Sequence, residues 1–219
     1  MSKQSPSSSE RSERRSFLTR LNAGAVSLAA LAMGSVAKAQ VKTASAARWE
    51  PARHDKDDWM DALPGKHRLV LDSTTQNGFK DALLFAGNFM IVNRTEYSLE
   101  NKDLAVIIVA RHLSTGFGFN NAMWAKYGAS LGDTQAKEPP KSNPSAASLE
   151  QLSNQGVQFA VCAMATRRLA GMAAEASGGN SDAIFAELTA NLVRNGRMVP
   201  AGIVAINRAQ ERGYSLVST

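Results

Sequence analysis

The 219-residue chain holds one cysteine, three histidines and no apolar run long enough to cross a bilayer, and each shortage narrows what the protein can be. A single thiol, Cys162, has no partner for an intrachain disulfide. In an oxidising compartment it is therefore buried, joined to another chain or used chemically. His54, His67 and His112 have no metal-ligand spacing with one another or with Cys162, so no metal and no cofactor is expected. Glycines recur in "TGFGF", residues 115 to 119, yet the chain has neither G-x-x-x-x-G-K-[ST] nor G-x-G-x-x-G, which argues against nucleotide binding. A G-x-S-x-G nucleophile elbow is also missing, and no internal repeat is visible.

Excess positive charge is present, but it is concentrated at one end. The formal net charge is +6. Residues 1 to 39 contain Lys3, Arg11, Arg14, Arg15, Arg20 and Lys38 against Glu10 and Glu13, leaving residues 40 to 219 with about +2. No basic helix or aromatic-interleaved basic patch remains there, so no nucleic-acid partner is expected. The N-terminal segment instead reads as an export signal: "ERSERRSFLTRL", a short Ala/Gly-rich apolar stretch, then Ala37-Lys38-Ala39. Arg14-Arg15 before Ser16-Phe17-Leu18 resembles the twin-arginine pattern. Asn22 to Val36 is fifteen residues, short of the roughly 20 a spanning helix needs. The expectation is cleavage after Ala39, a periplasmic mature protein and no stable membrane span.

Residues 40 to 66 mix charges and prolines with Trp49 and Trp59, and read as an extended arm pinned by its tryptophans. From 67 onward, apolar runs alternate with amphipathic stretches. Strands are expected at 67–74, 103–112, 157–165, near "RMVPAG" and at "YSLVS". Helices are expected in "NGFKDALLFAGNFMIVNR", after "TGFGF", in "SLEQLSNQG", in "TRRLAGMAAEAS", over 181–196 and in "IVAINRAQERG". The alternation implies a three-layer α/β sandwich around a mostly parallel, five-stranded sheet. Leu104 to Val109 is continuously apolar, as a central parallel strand should be. Leu84, Phe85, Ile91 and Val92 lie off the core stripe of the first helix, which suggests a second covering surface such as another subunit. The Pro/Ser-rich stretch 133–148 reads as a lid, a binding edge or a disordered connection.

Ligands of open α/β sheets bind beyond the carboxyl ends of the strands. The positions this selects are Asp72, Ser73 and Thr74, then Arg111, His112 and Ser114, and finally Cys162, Thr166 and Arg167. A helix start and an arginine next to a cysteine favour its thiolate. An apolar strand such as "FAVCAMA" equally suits an inert, buried sulfur. His112 is a candidate base or a hydrogen-bonded rim residue.

"NQGVQFAVCAMATRRL" and "MVPAGIVAINRAQERGYSLV" resemble the DsrE/DsrF-like family through Gly156-Val157, Cys162, Val199-Pro200-Ala201-Gly202, Gln210 and Gly213-Tyr214. The resemblance spans about residues 67 to 219 and implies a flavodoxin-like, doubly wound sheet assembled as a homo-oligomer. It further implies a persulfide on Cys162, with Arg167 or His112 supporting the thiolate, received from a sulfur donor and passed to an acceptor protein. Two readings follow: an exported sulfur carrier, or a non-catalytic periplasmic module that binds a small ligand or protein while Cys162 is structural.

Overall fold

A computed structural model describes residues 50–132 and 137–219; the leader, Ala39 and Trp49 lie outside the described residues. Five strands form one sheet there: β1 (His67–Ser73), β2 (Leu104–Ala110), β3 (Gln158–Cys162), β4 (Gly196–Val199) and β5 (Ser215–Ser218). Every pairing is parallel, in the order β4-β3-β2-β1-β5. The helices are α1 (Gln76–Tyr97), α2 (Asn121–Leu131), α3 (Ala146–Asn154), α4 (Ala163–Ser177), α5 (Ser181–Ala190) and α6 (Gly202–Gln210).

Alternation along each strand divides the core in two. Leu69, Leu71, Val106, Ile108, Phe159 and Val161 face α1 to α5, meeting Phe79, Trp124, Leu149, Leu169 and Leu188. Val70, Ile107, Val109, Ala160 and Val199 face the other way, onto Ala205, Ile206 and Ala209 of α6 and Met60 of the arm. The chain therefore builds β1 to β4 with its helices on one face. It then crosses the opposite face through α6 and returns to lay β5 beside β1. This is the expected α/β sandwich, with a sheet that is wholly parallel.

Short polar side chains set the helix starts. Thr75 accepts a bond from the Gly78 N–H at 2.9 Å, and Asn180 accepts one from the Ala183 N–H at 2.9 Å. Gly178 closes α4 at φ 69°, a left-handed conformation that suits glycine.

Three element ends differ from the sequence expectation. β3 stops at Cys162, not 165, because α4 begins at once in the alanine-rich "AMATRRLAGMAAEAS". The helix over 181–196 ends at Ala190. Leu192 bridges to Phe119 and the Val193 N–H donates to the Gly118 carbonyl, so the sheet face captures the chain before the helical pattern runs out. "TGFGF" is buried, and its first four residues belong to a 3-10 segment, His112–Gly118, rather than to an open turn. A Cβ on Gly118 would come within 2.5 Å of Val161, so glycine is what lets this segment lie against β3.

The arm contains a short 3-10 helix, Asp55–Met60. Met60 is fully buried against the α6 face, and its carbonyl accepts bonds from the Tyr214 hydroxyl at 2.8 Å and from Arg68 at 3.0 Å. Arg212 ties the same segment to the end of α6 through Asp61 at 2.9 Å.

Candidate functional site

Adjacent strands whose following connections leave on opposite faces open a crevice at their carboxyl ends. β3 and β4 are such a pair, since β3 leads to α4 on one face and β4 leads to α6 on the other. Cys162 pairs with Val199 at the mouth of that crevice.

Strand alternation decides which way Cys162 points. Ala160 faces α6, so Cys162, two residues on, faces α6 as well. Arg111 follows Val109 in extended conformation, and Asp72 follows Val70; both share that face. Three neighbouring strands thus end in a row of side chains, carboxylate, guanidinium and thiol, under the first turn of α6.

The row is tightly held at its Asp72 end. Arg111 Nε and Nη2 donate to the two Asp72 carboxylate oxygens at 2.7 and 2.8 Å, with the side chains 26% and 10% exposed. A planar fork on a carboxylate fixes direction as well as distance. The Asp72 carbonyl accepts from the Thr219 N–H at 2.9 Å. The Arg111 N–H donates to the Ser114 hydroxyl at 3.0 Å, and that hydroxyl lies 2.8 Å from the Ser73 carbonyl. Above the guanidinium stem sits Gly202, where a Cβ would come within 2.7 Å of the Arg111 Cβ. Its hydrogen bonds to Asp72 hold the Arg111 guanidinium above its ordinary value, burial opposes this, and the Cys162 sulfur adds a smaller favourable charge interaction.

Cys162 is 7% exposed. It is both the last residue of β3 and the N-cap of α4, whose first turn has no side-chain cap. Its carbonyl accepts from the Thr166 hydroxyl at 2.9 Å. Three exposed apolar side chains, Leu113, Met164 and Ile203, lie one or two residues along the chain from Arg111, Cys162 and Gly202.

Arg167 and His112 have contacts and exposure of their own. Arg167 stacks on the Phe185 ring at 4.0 Å and lies 3.7 Å from Asp182, bracing α4 against α5. His112 is exposed at φ 56°, and its carbonyl accepts from Arg168 at 3.5 Å. Arg111, one residue before His112, follows the strand next to that of Cys162 and stands level with it. A signal for it existed in the sequence: Asp72, Arg111 and Cys162 are each a polar or reactive residue two positions after an inward apolar one at the end of an apolar run. Among the described residues, no group of three His, Cys, Asp or Glu side chains could hold a metal ion, and no helix is long and apolar enough to cross a membrane.

A model of the DsrE/DsrF-like family matches residues 89–219, more than half of the chain. Among solved structures, the chain is similar to a protein of unknown function from Methanobacterium thermoautotrophicum, at 19% identity and a TM-score of 0.41, covering 70% of this chain and 100% of that one. No curated protein matches the chain by sequence.

Proposed function

The chain belongs to the DsrE/DsrF-like family, and from that premise we propose that it is an exported carrier of sulfane sulfur, holding it as a persulfide on Cys162. Export through the twin-arginine route, with cleavage after Ala39 and a periplasmic mature form, is supported by Arg14-Arg15 and the short apolar stretch behind them. The observation that carries the chemical reading is the position of Cys162, at the end of β3, at the start of α4 and level with Arg111 on the next strand.

Transfer at such a site needs no redox partner. The Cys162 thiolate attacks the outer sulfur of a donor persulfide, a new S–S bond forms, and the donor's S–S bond breaks to release the donor as a thiolate. An acceptor thiolate then attacks the outer sulfur on Cys162, and the Cys162 thiolate leaves. Each half replaces one S–S bond with another. A lone cysteine suits the task because no second thiol of the same chain can close a disulfide on it and discharge the sulfur. The donor and acceptor are thiol proteins or small thiols that reach Cys162 at the carboxyl end of β3.

The carrier also works as a homo-oligomer in this reading, which is supported by the outer face of α1, where Leu84 is 58% and Val92 46% exposed. A second reading draws on the low exposure of Cys162: the crevice binds a small ligand or protein and the sulfur is packing. Intact mass separates the two. After exposure of the mature protein to inorganic polysulfide, a gain of about 32 Da that is absent from Cys162→Ala supports the carrier. No gain in folded wild-type protein leaves the binding module.

A further inference from the structure

We infer that a second site, a cleft at the opposite end of β3 and β4 from Cys162, binds a small zwitterion of the amino-acid class. Arg194 takes its carboxylate and Glu150 its ammonium group. This goes beyond the carrier reading and does not depend on it.

Three segments wall the cleft, which encloses about 270 Å³. Asn120 and Asn121 start α2, Leu149 and Glu150 come from α3, and Val193 and Arg194 lead into β4. β4 begins at Gly196 beside Phe159, whereas Cys162 pairs with Val199 at the other end. Asparagines fix the frame. Asn121 Oδ1 accepts from the Asn143 N–H at 2.9 Å, and the buried Asn143 side chain donates to the Phe117 and Phe119 carbonyls, each at 2.9 Å. Asn195, next to Arg194, donates to the Ser153 and Val157 carbonyls at 2.9 and 3.1 Å, which ties the turn to α3 and to the start of β3. A site held in this way spends little of a ligand's binding energy on ordering itself.

Two side chains of the lining are charged, and their signs are opposite. Among the described residues no salt bridge joins Glu150 to Arg194, although both border one cavity. Arg194 donates through Nη1 to the Asn154 side chain, which uses one of its five N–H donors. Opposite charges that share a cleft without pairing suit a ligand that carries both signs, because a guanidinium fork matches a carboxylate and an ammonium donates to one. Ala146, Leu149 and Val193 offer apolar lining for a hydrocarbon side chain. The volume lies just below the roughly 300–1,000 Å³ of pockets for drug-sized ligands, so the occupant is a small molecule. With a single cation in its lining, the cleft is poorly matched to a polyphosphate.

The test is isothermal titration of the mature protein with L-leucine and L-methionine, beside L-leucinamide, which lacks the carboxylate, and N-acetyl-L-leucine, which lacks the ammonium charge. Saturable binding of an amino acid is expected, about tenfold weaker for either analogue. Arg194→Met should weaken L-leucine about tenfold and leave L-leucinamide unchanged, whereas Glu150→Gln should weaken L-leucine and leave N-acetyl-L-leucine unchanged. Both residues are exposed, so the variants are expected to fold, and equal urea midpoints would verify it. No binding of either amino acid up to about 10 mM, where a Kd of about 1 mM would be saturated, overturns the inference. Equal losses for all three leucine compounds in either variant also overturn it. The mass gain on Cys162 does not involve this cleft, so either proposal can fail while the other stands.

Discussion

Gly202 shows how one absent side chain shapes the site. It begins α6 directly over Arg111, and a methyl group there would press on both the Cβ and the Cδ of that arginine, at 2.7 and 2.9 Å. Gly202→Ala is expected to cost about 1–3 kcal/mol, as overpacking does, and a lower urea midpoint would register it. Tyr214 makes a different residue-scale case. Its phenol is buried, donates to the Met60 carbonyl at 2.8 Å, and has its pKa pushed up to about 12 by burial. A pKa raised in the folded state means that the stabilisation is complete below the ordinary tyrosine value of about 10 and is lost as pH rises through 12. Between pH 10 and 12, wild-type protein should therefore lose stability more steeply than Tyr214→Phe. Parallel alkaline denaturation curves would contradict this.

At the scale of elements, the start of α1 was readable because its signal is local. Thr75 before "QNGFKD" caps α1 through the Gly78 N–H, and Thr75→Ala should cost about 1 kcal/mol in chemical denaturation. Helix ends were less readable. The apolar pattern of 181–196 continues past Ala190, but Leu192 and Val193 pair with Phe119 and Gly118, residues more than 70 positions earlier. Periodicity cannot register such a competitor. The same limit explains the early end of β3, where helix-forming alanines overtook a run that reads equally well as strand. Between helices, Glu187 accepts from Lys126 and from the Tyr127 hydroxyl at 2.7 and 2.6 Å, which links α5 to α2 and holds its carboxyl below the ordinary value. A depressed carboxyl pKa contributes stability above the unfolded value and loses it as the solution is acidified. Glu187→Gln should accordingly flatten the loss of stability between about pH 5 and pH 3.

For the whole molecule, the outer face of α1 is an exposed apolar surface. Leu84, Phe85, Ile91 and Val92 stand 43% to 58% exposed along one face of the helix. Clustered apolar exposure of this kind marks interaction surfaces in folded proteins. Sedimentation velocity should find the mature protein larger than one chain, and Leu84→Glu with Ile91→Glu should reduce it to a monomer. A monomeric wild type at micromolar concentration would remove the homo-oligomer from the proposal.

Hydrophobic alternation and helical spacing, properties of a few consecutive residues, sufficed by themselves for the α/β class and the order of strands and helices along the chain, while the single cysteine at a strand end and the family resemblance drew attention to Cys162. Tertiary structure alone decided which charged side chains share the strand-end row with that sulfur. Arg167 is five residues from Cys162 along the chain, yet helical twist turns it onto α5. Arg111 is far away in sequence, yet strand pairing and a shared α6 face lay it alongside. The register of separate strands depends on the packing of the entire sheet, and no window of neighbouring residues contains it.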